Sequence, residues 1–108
     1  MQKPEWFWGN LRTNHDLLVP VIIQEENGQV LMLGYTNEGA FKATIKTSLA
    51  HFWSRSRQTL WKKGETSGNT LAIKEIWVDC DRDTLLYIVN ANGPVCHTGE
   101  TSCFHKVK

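Results

Sequence analysis

The chain has 108 residues, 41% of them hydrophobic and 21% charged, with a formal net charge of +1. Residues 1–108 therefore read as a single domain able to bury roughly two thirds of its unfolded surface, and the near-neutral charge argues against nucleic acid or an anionic membrane as partner. No apolar run approaches the ~18 residues of a membrane span, and the opening "MQKPEWFWGN" lacks a signal-peptide core, so a cytoplasmic location is expected.

The segment "LLVPVIIQ" (17–24) predicts a buried strand, with Pro20 at a sheet edge or strand start. Asn27-Gly28 is a hairpin-turn signal, and "VLMLGY" (30–35) is the return strand. A short helix is expected from about 37 to 47: Thr36 or Asn37 can cap it, Glu38 suits its first turn, and Phe41 and Ile45 form an i, i+4 apolar pair. "AHFWSRS" and "QTLWKK" read as strands with basic interruptions, and "KGETSGN" (63–69) as a loop. The β-branched runs "TLAIKEIWVDC" (70–80) and "TLLYIVN" (84–90) are the clearest strands, and "ANGPV" breaks the chain before "CHTGETSCFHKVK". The class is α+β, mainly β, with mixed strands and hairpins and one short helix. Trp6, Trp8, Trp53, Trp61 and Trp77 are expected mostly as core or interface mass.

Two groups of side chains stand out against this frame. The first is "DCDRD" (79–83), at the junction of the two best strands. In an extended chain Asp79, Asp81 and Asp83 share one face and Cys80 takes the other. Three carboxylates make a hard-oxygen site suited to Mg²⁺. Alternate residues lie roughly 6–7 Å apart, so direct binding of one ion needs the strand to curl. A calcium loop of the EF-hand type is excluded, because Thr84 stands where Gly is required and Asn90 where Glu is required. The competing reading is a solvated turn with Arg82 pairing locally. The second group is the cysteines. Their odd number argues against a closed disulfide framework. Cys96 and Cys103 are not a CxxC knuckle, but with Cys80 they would fill three corners of a zinc tetrahedron and leave the fourth to water. The competing reading is three unrelated small residues, since free cysteine is often core.

The stretches "FWSRSRQTLWKKGETSGNTL" (52–71), "DCDRD" (79–83) and "GPVCHTGETSCF" (93–104), with "LVPVIIQ" and "GQVLMLGYTNEGAF", resemble the phosphoribosyl-AMP cyclohydrolases of histidine biosynthesis over about residues 16 to 104. The resemblance implies an intertwined homodimer that hydrolytically opens the adenine ring of phosphoribosyl-AMP at the N1–C6 bond. It implies one zinc per subunit, held by Cys80 of one chain and by Cys96 and Cys103 of the other, and magnesium held by Asp79, Asp81 and Asp83. Thr36 departs from the family pattern, where relatives often have Met, and puts no site residue in doubt. Many relatives carry a phosphoribosyl-ATP pyrophosphatase domain after this one; that activity is not expected here.

Three thiolates leave a zinc site at a formal charge of about −1, a poor Lewis acid, so water there should need a separate base. His97, beside Cys96, is the candidate proton acceptor, or alternatively it only hydrogen-bonds a sulfur. For the substrate's two phosphates and riboses, Arg55 and Arg57 would alternate on one strand face, and the loop would offer Lys63, Thr66 and Ser67. Glu65 could instead anchor either arginine. His15, His51 and His105 are expected as surface or core residues. The alternative function is a small zinc-stabilised nucleic-acid-binding module, suggested by the aromatic and basic interleaving of "HFWSRSRQTLWKK". The aromatic segment "EWFWGN" is a plausible contact with a partner subunit.

Overall fold

The computed structural model describes residues 8–108, so Trp6 and the start of the "EWFWGN" segment lie outside the described residues. After a 3₁₀ turn at Trp8–Asn10 the elements are β1 (Val19–Glu25), β2 (Val30–Thr36), α1 (Glu38–Thr47), β3 (His51–Ser54), β4 (Thr59–Lys62), β5 (Leu71–Val78) and β6 (Leu85–Ala91). The structure is mainly β with one α-helix. Four strands form a mixed sheet in the order β2-β1-β6-β5, and β3 and β4 form a second, two-stranded sheet.

Two-residue alternation sets the central pair. Val19, Val21 and Ile23 on β1 and Leu85, Tyr87 and Val89 on β6 are all buried. These strands pair in parallel from Val21↔Leu85 to Glu25↔Val89. Pro20 marks a strand start, not an edge: β1 lies inside the sheet, and its parallel pairing begins one residue after the proline. β1 turns into β2 through Asn27 and Gly28, where Gly28 has φ 97° and the Asn27 side chain accepts from Gln29 N–H at 2.9 Å. On β2 the register slips by one, with Ile23 opposite Met32 and Gln24 opposite Val30. This bulge lets adjacent Leu31 and Met32 both be buried, which strict alternation forbids.

The helix begins where Asn37 Oδ1 accepts the Ala40 N–H at 2.9 Å and ends at Ser48 in the left-handed region (φ 62°). Its inward face is Ala40, Phe41 and Thr44. Of the apolar pair Phe41 and Ile45 only Phe41 is buried, since Ile45 is 55% exposed. The buried stripe lies on the i+3 side of Phe41 and takes Thr44 instead. That hydroxyl accepts from His51 N–H and donates to the Ala40 carbonyl, both at 2.9 Å, so it is satisfied inside. His51 is accordingly a core residue, while His15 and His105 are exposed.

The β3–β4 hairpin packs on β2 through Phe52, which is fully buried and contacts Trp61 at a ring separation of 5.3 Å. Gly34 makes this possible, since a Cβ there would meet Phe52 Cδ1 at 2.7 Å. The aromatics of the basic stretch are thus spent largely on packing, not on a base-stacking face. Trp8 also packs against the core, whereas Trp77 is 57% exposed on the edge strand β5, its indole N–H donating to Glu75. Among the described residues no helix is long and apolar enough to cross a membrane.

Candidate metal and substrate sites

The β5–β6 connection curls, which satisfies the condition the aspartates needed. Asp79 N–H donates to the Thr84 carbonyl and Arg82 N–H to the Asp79 carbonyl, each at 3.1 Å, with Arg82 in the left-handed region (φ 64°). The three residues therefore do not alternate along a strand; they ride on a closed turn. Carboxylate oxygens of Asp79, Asp81 and Asp83 lie within 4.8 Å of one another, all on exposed residues. Asp79 Oδ1 accepts the N–H groups of Asp83 (3.0 Å) and Thr84 (3.2 Å), and Thr84 Oγ1 donates to Asp83 at 3.2 Å. Arg82 makes no ion pair among the described residues, so local pairing does not neutralise the cluster.

The cluster manages its charge unevenly. Desolvation pushes the Asp79 carboxyl up, but hydrogen bonds from the Asp83 side chain and backbone, from Asp81 and from Thr84 N–H outweigh it and leave Asp79 below its ordinary value. Asp83 is raised, first by its shared hydrogen bond with Asp79, then by that with Asp81 and by desolvation. The hydrogen bonds the two share thus favour a proton on Asp83 over one on Asp79. Three oxygens at this spacing fit a hard divalent cation.

The cysteines fall into two places. Cys80 is exposed on the aspartate turn, ahead of β6. Cys96 and Cys103 both lie in the loop beyond β6. That loop closes on itself through Cys96 N–H to the Glu100 carbonyl and Gly99 N–H to the Cys96 carbonyl. It is pinned to the bulged end of β2 by Cys103 N–H donating to the Leu31 carbonyl at 2.7 Å and by the Ser102 hydroxyl donating to the Val30 carbonyl at 2.8 Å. Thr98 Oγ1 donates to Cys96 Sγ at 3.1 Å. Thr98, through its hydroxyl and then its N–H, pulls the Cys96 thiol down, while desolvation and then Cys96 push the Cys103 thiol up. Two cysteine sulfurs on one short loop are a soft donor pair and suit zinc. The seven residues of β6 separate them from Cys80 by roughly 20 Å at ~3.3 Å per residue. The three thiols of one chain do not converge.

The expected substrate contacts are also split. Residues 55–58 are a turn, so Arg55 and Arg57 do not alternate on a strand. The reason is local: Ser54 Oγ accepts Arg57 N–H at 3.2 Å, and Gln58 takes φ 52° to return the chain into β4. The Arg55 guanidinium stacks over the Tyr35 ring at 3.9 Å, and Arg57 is exposed. Arg55 also borders a cleft of about 770 Å³ lined by Trp8, Trp53, Asn37 and Glu38, toward the same end of the sheet as the aspartates. Lys63, Thr66 and Ser67 belong to the opposite end. Gly64 and Gly93 have positive φ, and any side chain there would run into Asn69, so the loop 63–69 packs tightly against the chain leaving β6. Thr66 and Ser67 are exposed on it. Lys63 Nζ donates to the Val95 carbonyl at 2.6 Å, next to Cys96. Glu65 accepts Lys62 N–H and binds neither arginine. His97 is exposed beside Cys96 and makes no side-chain hydrogen bond among the described residues.

Thr98 was missed in the sequence. The signal was present in "CHT": a hydroxyl two residues after a thiol can reach back across a turn. Tyr35 as the platform for Arg55 had no local signal, because β2 and the hairpin turn meet only in three dimensions.

Similarity to known proteins extends over most of the chain. The family described as Phosphoribosyl-AMP cyclohydrolase matches residues 32–105. A Phosphoribosyl-AMP cyclohydrolase of Cenarchaeum symbiosum is 56% identical over 82% of this chain and 82% of its own. One of Archaeoglobus fulgidus is 58% identical over 82% of this chain and 83% of its own. The Histidine biosynthesis bifunctional protein HisIE of Pyrococcus furiosus is 52% identical over 82% of this chain, which corresponds to 43% of that longer protein.

Proposed function

We infer that this chain, which belongs to the phosphoribosyl-AMP cyclohydrolase family, hydrolyses the adenine ring of phosphoribosyl-AMP at N1–C6 in histidine biosynthesis, and does so as a homodimer whose sites each draw on both chains. The observation that carries the shared site is the separation within one chain. Cys80 and the aspartates stand at one end of the sheet, and Cys96 and Cys103 at the other. A second copy related by a two-fold axis can bring one chain's first end to its partner's second.

The donor sets fit the metals that the chemistry calls for. Zinc on three thiolates would supply Lewis acidity at its open position, and magnesium on the carboxylates would supply charge to phosphate oxygens. The chain's own groups do the rest. Thr98 already satisfies Cys96, which leaves the exposed His97 imidazole free. His97 would accept a proton from water as it adds to C6 and return one to N1 as the N1–C6 bond breaks, which leaves a carboxamide carbon at C6 and an N–H at N1. Arg57, Thr66 and Ser67 offer unburied donors to phosphate and ribose, and Arg55, held flat on Tyr35, offers a guanidinium edge. The test is direct: incubate the protein with phosphoribosyl-AMP and Mg²⁺ and follow ring opening in the ultraviolet, then repeat after chelation. Ring opening that is lost on chelation and restored by Zn²⁺ is expected; no turnover by the metal-loaded protein would overturn the reading.

A further inference from the structure

We propose that Lys63 is a positioning residue for the cysteine pair and not a phosphate ligand: its ammonium, tied to the Val95 carbonyl, holds the Cys96–Cys103 loop in place and supplies the positive charge that clustered sulfurs require. The inference rests on the reading that these cysteines bind zinc.

The geometry favours a fixed role. Lys63 donates its N–H to the Ala50 carbonyl at 3.0 Å, so its backbone is set at the foot of the hairpin. Its Nζ lies 6.0 Å from the Trp61 ring centroid, and the side chain is half-buried. From there it spans 32 residues of sequence to make the 2.6 Å bond to Val95. Val95 is 2% exposed and donates its own N–H to the Thr101 carbonyl at 3.2 Å. The lysine therefore grips the loop at its buried foot, one residue before Cys96. The carbonyl it binds is one residue from Cys96, so the ammonium sits at the foot of the cysteine loop. Three thiolates on a divalent ion carry a formal charge of about −1, and one ammonium offsets it. A lysine free to meet a mobile phosphate would not be committed to a buried carbonyl.

The two roles give opposite kinetic signatures. Native protein, Lys63→Met and Lys63→Arg are prepared as full chains, and zinc affinity is measured by chelator competition alongside kcat and KM. Loss of a group that supports metal ligands typically costs 10–100-fold in metal affinity or activity. Lys63→Met should weaken zinc by about that factor and leave KM within ~3-fold, with Lys63→Arg recovering most of the affinity. Unchanged zinc affinity with a KM raised about tenfold or more would overturn the proposal and make Lys63 a phosphate ligand. Should Lys63→Met fail to fold, Lys63→Gln keeps a donor for Val95 and removes only the charge. In that variant, native zinc affinity overturns the charge role. Native protein that binds no zinc at these cysteines refutes the metal reading itself, before any variant is compared.

Discussion

Thr98 hydrogen-bonds Cys96, and its neighbour His97 faces solvent. Thr98 already donates to the Cys96 sulfur, which supports the proton-acceptor role proposed for His97 over a hydrogen bond to that sulfur. His97→Ala should keep its zinc and lose about 10²–10⁴-fold in turnover near neutral pH, measured with zinc content in parallel. A variant with native turnover would leave the proton with another group. Magnesium gives a second prediction at this scale. Asp83 is raised above its ordinary 3.8 by its hydrogen bonds to Asp79 and Asp81. A carboxyl must lose its proton to bind the ion. Mg²⁺ affinity should therefore rise with pH through the raised Asp83 range and flatten above it, as read by titration calorimetry. Asp83→Asn should bind more weakly and without that step. The residues of both clusters were legible from type and spacing alone. Their directions were not, since a two-residue alternation assumed for Asp79–Asp83 and for Arg55–Arg57 fails wherever a left-handed residue such as Arg82 or Gln58 turns the chain.

Every strand and the helix were readable as elements, because each carries its own signal: alternation in β1 and β6, Asn27-Gly28 between β1 and β2, and Asn37 before α1. What failed were the details set by neighbours. Ile45 matched the helical period of Phe41, but the surface that covers α1 lies on the Thr44 side. The β2 bulge could not be seen in "VLMLGY", since register is a property of two strands. The close contact of Gly34 with Phe52 predicts that Gly34→Ala destabilises by about 1–3 kcal/mol, the usual cost of overpacking, as measured by urea unfolding. Tyr87 makes the opposite prediction. Its hydroxyl is buried near Thr36 and Thr44 but closes no hydrogen bond among the described residues. Tyr87→Phe removes that polar burden and should be neutral or stabilising by up to ~1 kcal/mol in the same assay.

At the scale of the molecule, one chain carries its two groups of candidate ligands at opposite ends of its central sheet. Cys80, the aspartates and Arg55 form one end; Cys96, Cys103, Lys63, Thr66 and Ser67 form the other. Sequence supplied the candidate ligand types but not their distance, because which end of the sheet each loop meets is set by strand order and not by spacing along the chain. The central claim is that a working site is assembled from two protomers, and subunit mixing tests it most directly. Cys80→Ser and Cys103→Ser homodimers should each be inactive. After exchange, half the dimers are mixed and each holds one intact site of two, so about a quarter of native activity should return. No recovery in a mixture shown to have exchanged subunits would place all three sulfurs in one chain and contradict the account.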